Sequence, residues 1–178
     1  MKRQSFICAL AVLEVLSASR MSCSTGKSPQ PLEKERAEQI ALKELVGGYI
    51  VGEALATDSG RLIYRIHLQN GIEARQVMVE AATGRLIAVE DDTEEFQNAV
   101  AREENVPHAI SLAQRDAVEY TVLQAFPGTV RQWRAMRENG RLVFKFNLIL
   151  EGGGEKHVTV EARSREILAT GPGTLDEP

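Results

Sequence analysis

Gly60-Arg61-Leu62-Ile63-Tyr64-Arg65-Ile66-His67-Leu68 and Gly140-Arg141-Leu142-Val143-Phe144-Lys145-Phe146-Asn147-Leu148 are the stretches that decide the fold. Each is a turn glycine followed by a run in which every second side chain is apolar, the period of a half-buried β-strand. The two stretches stand 80 positions apart, and the match extends without a gap over residues 32–68 and 112–148. Leu32/Leu112, Ala37/Ala117, Gly48/Gly128, Gly60/Gly140, Leu62/Leu142 and Leu68/Leu148 are identical pairs, and Ile63/Val143, Tyr64/Phe144 and Arg65/Lys145 keep their character. Beyond them the offset becomes 81, because Gln69-Asn70-Gly71 is answered by Glu151-Gly152-Gly153-Gly154; Val77/Val158, Val79/Val160, Glu80/Glu161 and Ala81/Ala162 then align. Loops tolerate an inserted residue and strands do not, so an insertion confined to a turn marks a structural duplication.

Working outward, each copy opens with a helix. Leu32, Ala37, Ile40, Ala41 and Leu45 share one helical face ended by Gly47-Gly48, and the second helix starts at the capping pattern Ser111-Leu112-Ala113-Gln114 and ends at Pro127-Gly128. A weakly patterned strand follows in each copy, at 49–56 and 129–136. The turns Asp58-Ser59-Gly60 and Asn139-Gly140 lead into the alternating strands. A third strand carries Val77, Val79 and Ala81, or Val158, Val160 and Ala162, and a short fourth strand covers 85–89 or 166–169. The expected fold is α+β: two tandem units, each a helix packed on an antiparallel three- to four-stranded meander with its other face open. Units of about 60 residues bury small cores, so two marginal cores are expected, packed on each other or on a partner.

The segments outside the copies read differently. Lys2 and Arg3 before an apolar run beginning at Phe6, closed by Ser17, Ala18 and Ser19, have the order of a secretory signal over residues 1–22, too short for a membrane span. Cys23 after Ser22 resembles a lipoprotein cleavage site, although Arg20 stands where an aliphatic residue is usual, and is the candidate lipidation site. Residues 23–30 are then a tether, 31–90 the first copy, 91–109 an acidic helical linker in which Asp92 and Glu95 cap a helix running to about Glu104, 110–170 the second copy, and 171–178 a tail. The whole chain of 178 residues carries 21 basic and 25 acidic residues, a net charge of −4; losing Lys2, Arg3, Arg20 and Glu14 with the leader makes it −6. That charge argues against nucleic acid, whose phosphates need a basic surface. Two cysteines, one of them in the leader, exclude a disulfide scaffold.

The order helix, glycine, variable strand, Gly-x-x-Tyr-x-aliphatic strand and Val-x-Val-x-Ala-x-Thr-Gly-x-aliphatic ending resembles the PepSY domain. Ala37, Ala41, Gly48, Gly60, Tyr64, Ile66, Val77, Val79, Ala81, Thr83, Gly84 and Leu86 carry the likeness in the first copy. Ala117, Phe126, Pro127, Gly128, Gly140, Phe144, Val158, Val160, Ala162 and Ile167 carry it in the second. Ser164-Arg165 replaces the usual Thr-Gly there, and Ala81 and Ala162 replace a common Asp. The resemblance implies an exported, noncatalytic module that regulates or inhibits a peptidase or other enzyme of the periplasm or cell envelope. The paired units also look like the architecture of a secreted beta-lactamase inhibitor, a likeness of fold alone.

No enzyme site is legible. His67, His108 and His157 are isolated, with no HExxH and no His/Cys pair at metal spacing; there is no Gly-x-Ser-x-Gly, and Gly152-Gly153-Gly154 is a hairpin turn. No catalytic residue, metal or cofactor is expected. The expected partner is a protein, with membrane contact only through a lipid anchor. A second reading is a structural or sensory envelope module that binds a small ligand or a membrane protein. If Leu62, Tyr64 and Ile66 point at the helix, then Arg65, His67, Gln76, Met78 and Glu80 point away, as do Lys145, Asn147, His157, Thr159 and Glu161 in the second copy. Arg65, His67, Lys145 and His157 are the partner-binding candidates from that face. Trp133, the only tryptophan, joins them with Arg131 as an interface residue, although its strand alternates too poorly to assign a face.

Overall fold

The structure, a computed structural model, describes residues 33–106 and 108–173. The expected signal, the tether and Cys23 lie outside the described residues, as does the tail beyond Gly173. Helix α1 (Lys34–Ala41) leads into strands β1 (Tyr49–Asp58), β2 (Arg61–Gln69), β3 (Ala74–Glu80) and β4 (Leu86–Asp91). Helix α2 (Thr93–Ala101) connects these to α3 (Leu112–Ala125), and β5 (Gly128–Glu138), β6 (Arg141–Leu150), β7 (Glu155–Glu161) and β8 (Ile167–Pro172) follow. All eight strands join one antiparallel sheet in the order β4-β3-β2-β1-β5-β6-β7-β8.

Local chemistry accounts for the pieces. Ser59-Gly60 and Asn139-Gly140 all take positive φ, between 49° and 78°, which is the backbone of the two-residue turns that match strand twist. Ser111 caps α3 by accepting a hydrogen bond from the Gln114 N–H at 3.0 Å. The linker differs from expectation: α2 ends at Ala101, and Asp92 makes no side-chain cap. Asp91 Oδ1 accepts from the Thr93 N–H at 2.9 Å instead, because the Asp92 carboxylate lies 3.3 Å from His67 Nδ1.

The halves meet through β1 and β5. Their register is Gly52↔Arg134, Glu53↔Trp133 and Ala54↔Gln132. Under the offset of 80, Gly52 corresponds to Gln132, Glu53 to Trp133 and Ala54 to Arg134. Equivalent strands therefore pair about a local twofold through Glu53 and Trp133, the isologous geometry of a symmetric dimer drawn within one chain. This corrects the expectation of two cores. Residues from both halves, including Ile66, Val77, Val118, Trp133, Phe146 and Val158, form one buried cluster. The edge-to-edge joint leaves no gap in the sheet, and α1 and α3 cover the same face of it.

Two glycines test how tightly the second half is packed. A Cβ at Gly128 would stand 2.3 Å from the Ile149 carbonyl oxygen, a backbone atom in the neighbouring strand. A Cβ at Gly171 would meet the His157 ring at the same distance, but that ring can rotate away. Gly128→Ala is expected to cost about 1–3 kcal/mol in denaturant unfolding and Gly171→Ala less than about 1 kcal/mol. Equal costs would contradict this packing.

Candidate functional site

The helix face of the sheet holds a polar cluster that sequence periodicity conceals. α1 buries Ala37, Glu38 and Ala41, and α3 buries Arg115, Val118 and Val122. Glu38 and Arg115 are each 1% exposed, and Arg115 Nη1 donates to Glu38 Oε1 at 2.8 Å. Glu53 reaches the same place from β1, its Oε2 standing 3.7 Å from Arg115 Nη1 and accepting from Trp133 Nε1 at 3.2 Å. The guanidinium lies over the indole, 5.3 Å from the ring centroid, in cation–π contact. Arg115 Nε also meets Asp116 at 2.6 Å and Glu119 at 3.9 Å, and Glu119 is paired with Lys34 at 3.1 Å. The cluster ties α1, β1, α3 and β5 together at the twofold joint.

Electrostatics follow from burial. Taking Glu53 out of water, with the Glu38 charge beside it, pushes its carboxyl up to about 8, against the opposing pull of the Trp133 N–H, Lys34 and Arg115. Burial would by itself lower the Arg115 pKa, but the carboxylates of Glu38, Asp116 and Glu119 outweigh it and hold the guanidinium above its ordinary value. Burial also raises the Tyr64 phenol, with the carboxylates of Glu53, Glu35 and Glu38 adding to the effect.

The partner-binding candidates are divided by the structure. Trp133 is 2% exposed and belongs to the core, so its placement on an open gripping face is corrected. A bulge between Val130 and Gln132 shifts the phase of β5 and turns Trp133 to the helix side, opposite Phe146. Arg65 and His67 on β2, Lys145 on β6 and His157 on β7 do share the face opposite α1 and α3, as the pairs Arg65↔Met78, His67↔Gln76, Lys145↔Thr159 and Asn147↔His157 show. That face is less open than expected. α2 lies over its first half with Phe96 buried, and Asn147 and Thr159 are only 2% and 7% exposed. His157 packs over Gly171, Lys145 is paired with Glu138 at 2.5 Å, and Arg131 with Glu155 at 3.0 Å.

These candidates do not converge on a point. β2 and β6 are three strand spacings apart, about 14 Å. Between them the backbone of Gly52 and the methyl of Ala54 line a small cavity of about 90 Å³, together with His67, Phe96, Gln132 and Arg134. Among the described residues no group of His, Cys, Asp and Glu could hold a metal ion, and no helix is long and apolar enough to cross a membrane.

The fold is one eight-stranded antiparallel sheet with α1 and α3 on one face. Residues 31–90 match the model of the peptidase propeptide and YPEB domain family, PepSY, whose members are generally noncatalytic propeptide and regulatory domains. No curated protein matches the chain. Among solved structures, a candidate lipoprotein from Clostridium difficile 630 is similar over 83% of this chain and 97% of its own, with 16% identity and a TM-score of 0.51, a likeness of fold alone. The C-terminal domain of YpeB from Bacillus megaterium aligns over 84% of this chain and 70% of its own at 14% identity, with a TM-score of 0.29.

Proposed function

We propose that the protein is an exported, noncatalytic module of two tandem PepSY units that binds and regulates a peptidase or another enzyme of the cell envelope. The PepSY match over residues 31–90 carries this reading. The second unit is supported by the repeat at offsets of 80 and 81 and by the twofold pairing of β1 with β5. Export and anchoring rest on the leader and Cys23. The gripping surface is the face opposite α1 and α3, where Arg65, His67, Lys145, His157 and Arg131 contact the partner while Trp133 supports the sheet from beneath. A broad face with charges about 14 Å apart suits a protein better than a metabolite. The small cavity on this face, about 90 Å³, is by itself well below the roughly 300–1,000 Å³ of ordinary ligand pockets.

Inhibition assays against secreted peptidases of the host, paired with capture from envelope extracts, test the proposal. The wild-type protein is expected to inhibit or retain a peptidase, and the Arg65→Glu/Lys145→Glu variant to weaken that binding at least tenfold while unfolding at an unchanged denaturant midpoint. Absence of both inhibition and capture, or full binding by the double variant, would reject it.

A further inference from the structure

Glu38 Oε2 and Glu53 Oε1 are buried and have no hydrogen-bond partner among the described residues. Both belong to carboxyl groups whose other oxygen is engaged, Glu38 Oε1 by Arg115 Nη1 at 2.8 Å and Glu53 Oε2 by Trp133 Nε1 at 3.2 Å. A buried carboxylate oxygen without a protein donor is costly, and two carboxylates at one guanidinium leave a net negative charge there. The surroundings do not correct this. The charged and titratable groups facing the site are Lys34, Glu35 and Glu38 from α1, Tyr64 from β2, and Arg115, Asp116 and Glu119 from α3; β5 contributes only the neutral indole. Lys34 is already paired with Glu119, and Arg115 is shared with Asp116.

One proton removes the excess charge, and the carboxyl group that carries it becomes a donor. The geometry selects which group. Glu38 holds the short charge-assisted bond to Arg115, whereas Glu53 stands 3.7 Å from that nitrogen and bonds to an uncharged N–H. We infer that the joint between the two halves is a proton-binding site, in which Glu53 is held as a neutral carboxylic acid and Glu38 as the carboxylate partner of Arg115, and that releasing this proton loosens the contact of α1 with α3. The upward push that burial gives the Glu53 carboxyl agrees with this assignment.

The sign of the resulting pH dependence is fixed. Glu53 has the ordinary carboxyl value of 4.5 in the unfolded chain and is pushed up to about 8 in the fold, so folding takes up a proton between those values. Stability therefore falls as pH rises through that window and levels off above it.

Trp133 is the chain's only tryptophan and bonds directly to Glu53, so its emission reads the state of this carboxyl. Titrated from about pH 6 to about pH 10, the folded wild-type protein is expected to show an emission change centred near pH 8, with its far-ultraviolet circular dichroism unchanged. An infrared band of a protonated carboxyl should be present at about pH 6.5, where exposed carboxylates are ionised, and vanish at about pH 10. Glu53→Gln, which keeps the shape, should abolish both signals. A flat emission profile, no acid band in the wild-type protein, or a transition that survives in Glu53→Gln would overturn the assignment. The two wild-type measurements decide it even if that variant fails to fold.

Discussion

Arg115→Leu is expected to destabilise the fold by about 3–5 kcal/mol at neutral pH, the scale set by removing one partner of a buried ion pair. The side chain is 1% exposed and, among the described residues, is the cation within hydrogen-bond distance of Glu38 Oε1. Removing it leaves two carboxyl groups together without the cation bonded to Glu38, and also ends the stacking over Trp133. The loss belongs to the broken pair rather than to an intrinsic strength of ion pairing. Arg115→Leu combined with Glu38→Leu and Glu53→Gln should consequently recover most of it, since well-packed apolar replacements of a whole buried cluster are often neutral or better. Acidification should also rescue the single variant, because the buried Glu53 carboxyl resists ionisation and the folded state then binds more protons than the unfolded one. Chemical denaturation at neutral and acidic pH measures each step. A cost under about 1 kcal/mol, with no acid rescue, would mean that the cluster is hydrated and does not hold the halves together.

The cluster sits where the two halves of the sheet join. Two identical units paired through equivalent strands would place the same residue twice at the twofold. Here that position holds Glu53 in one half and Trp133 in the other, and the two side chains bond to each other across the axis. The helices diverge in the same way: Glu38 of α1 corresponds to Val118 of α3, and Arg115 of α3 to Glu35 of α1. Complementary differences at a symmetric joint favour pairing within the chain over pairing between identical halves. A rigid sheet of eight strands follows, and it holds Arg65 and Lys145 symmetrically on the opposite face. On the proposed function, this fixed spacing lets one partner engage both halves without paying to order them separately.

Much of this was legible in the sequence, for definite physical reasons. Leu62, Tyr64, Ile66 and Leu68 alternate without interruption, so period and face are readable, and Ser59-Gly60 and Asn139-Gly140 announce their turns. The joint was not legible. β1 carries a bulge between Ile50 and Gly52, and β5 carries one at the equivalent place, between Val130 and Gln132. A bulge shifts the alternation by one residue, so Ile50 and Glu53 face the same side although their separation is odd, and so do Val130 and Trp133. Read without the bulges, Glu53 and Trp133 fall on an undefined face and the pairing of their strands cannot be seen. The buried charges hide for another reason. Glu38 and Arg115 occupy apolar faces beside Ala37, Ala41 and Val118, and single charges there look like ordinary helix-surface residues until the partner helix is placed. The signal that was available is that Arg115 lies three residues before Val118 and seven before Val122, on the stripe that must be buried. α2 was legible as a helix, but its place over the sheet depends on Phe96 and the Asp92–His67 contact, which no local pattern specifies.

Trp133→Ala is expected to cost about 3–5 kcal/mol, the range for deleting a large aromatic side chain from a core that cannot collapse around the void. Collapse is hindered on every side. Phe144 packs at 6.0 Å between ring centroids, the backbone on both flanks is held in the sheet by β1 and β6, and the Arg115 guanidinium covers one ring face. The deletion also removes the donor to Glu53 Oε2, so the void would be lined by a carboxyl group with neither oxygen accepting an N–H. Trp133→Phe separates these effects. It keeps most of the packing and loses the hydrogen bond, and should cost about 1–3 kcal/mol, the price of an unsatisfied buried acceptor. The same pair of variants distinguishes a core residue from an interface one. Measured at a temperature where each variant is fully folded, binding of a peptidase to the opposite face should remain within about twofold of wild type, because Trp133 presents no surface there. A fall in stability of less than about 1 kcal/mol together with a tenfold or greater loss of binding would return Trp133 to the interface and require this joint to open when the partner docks.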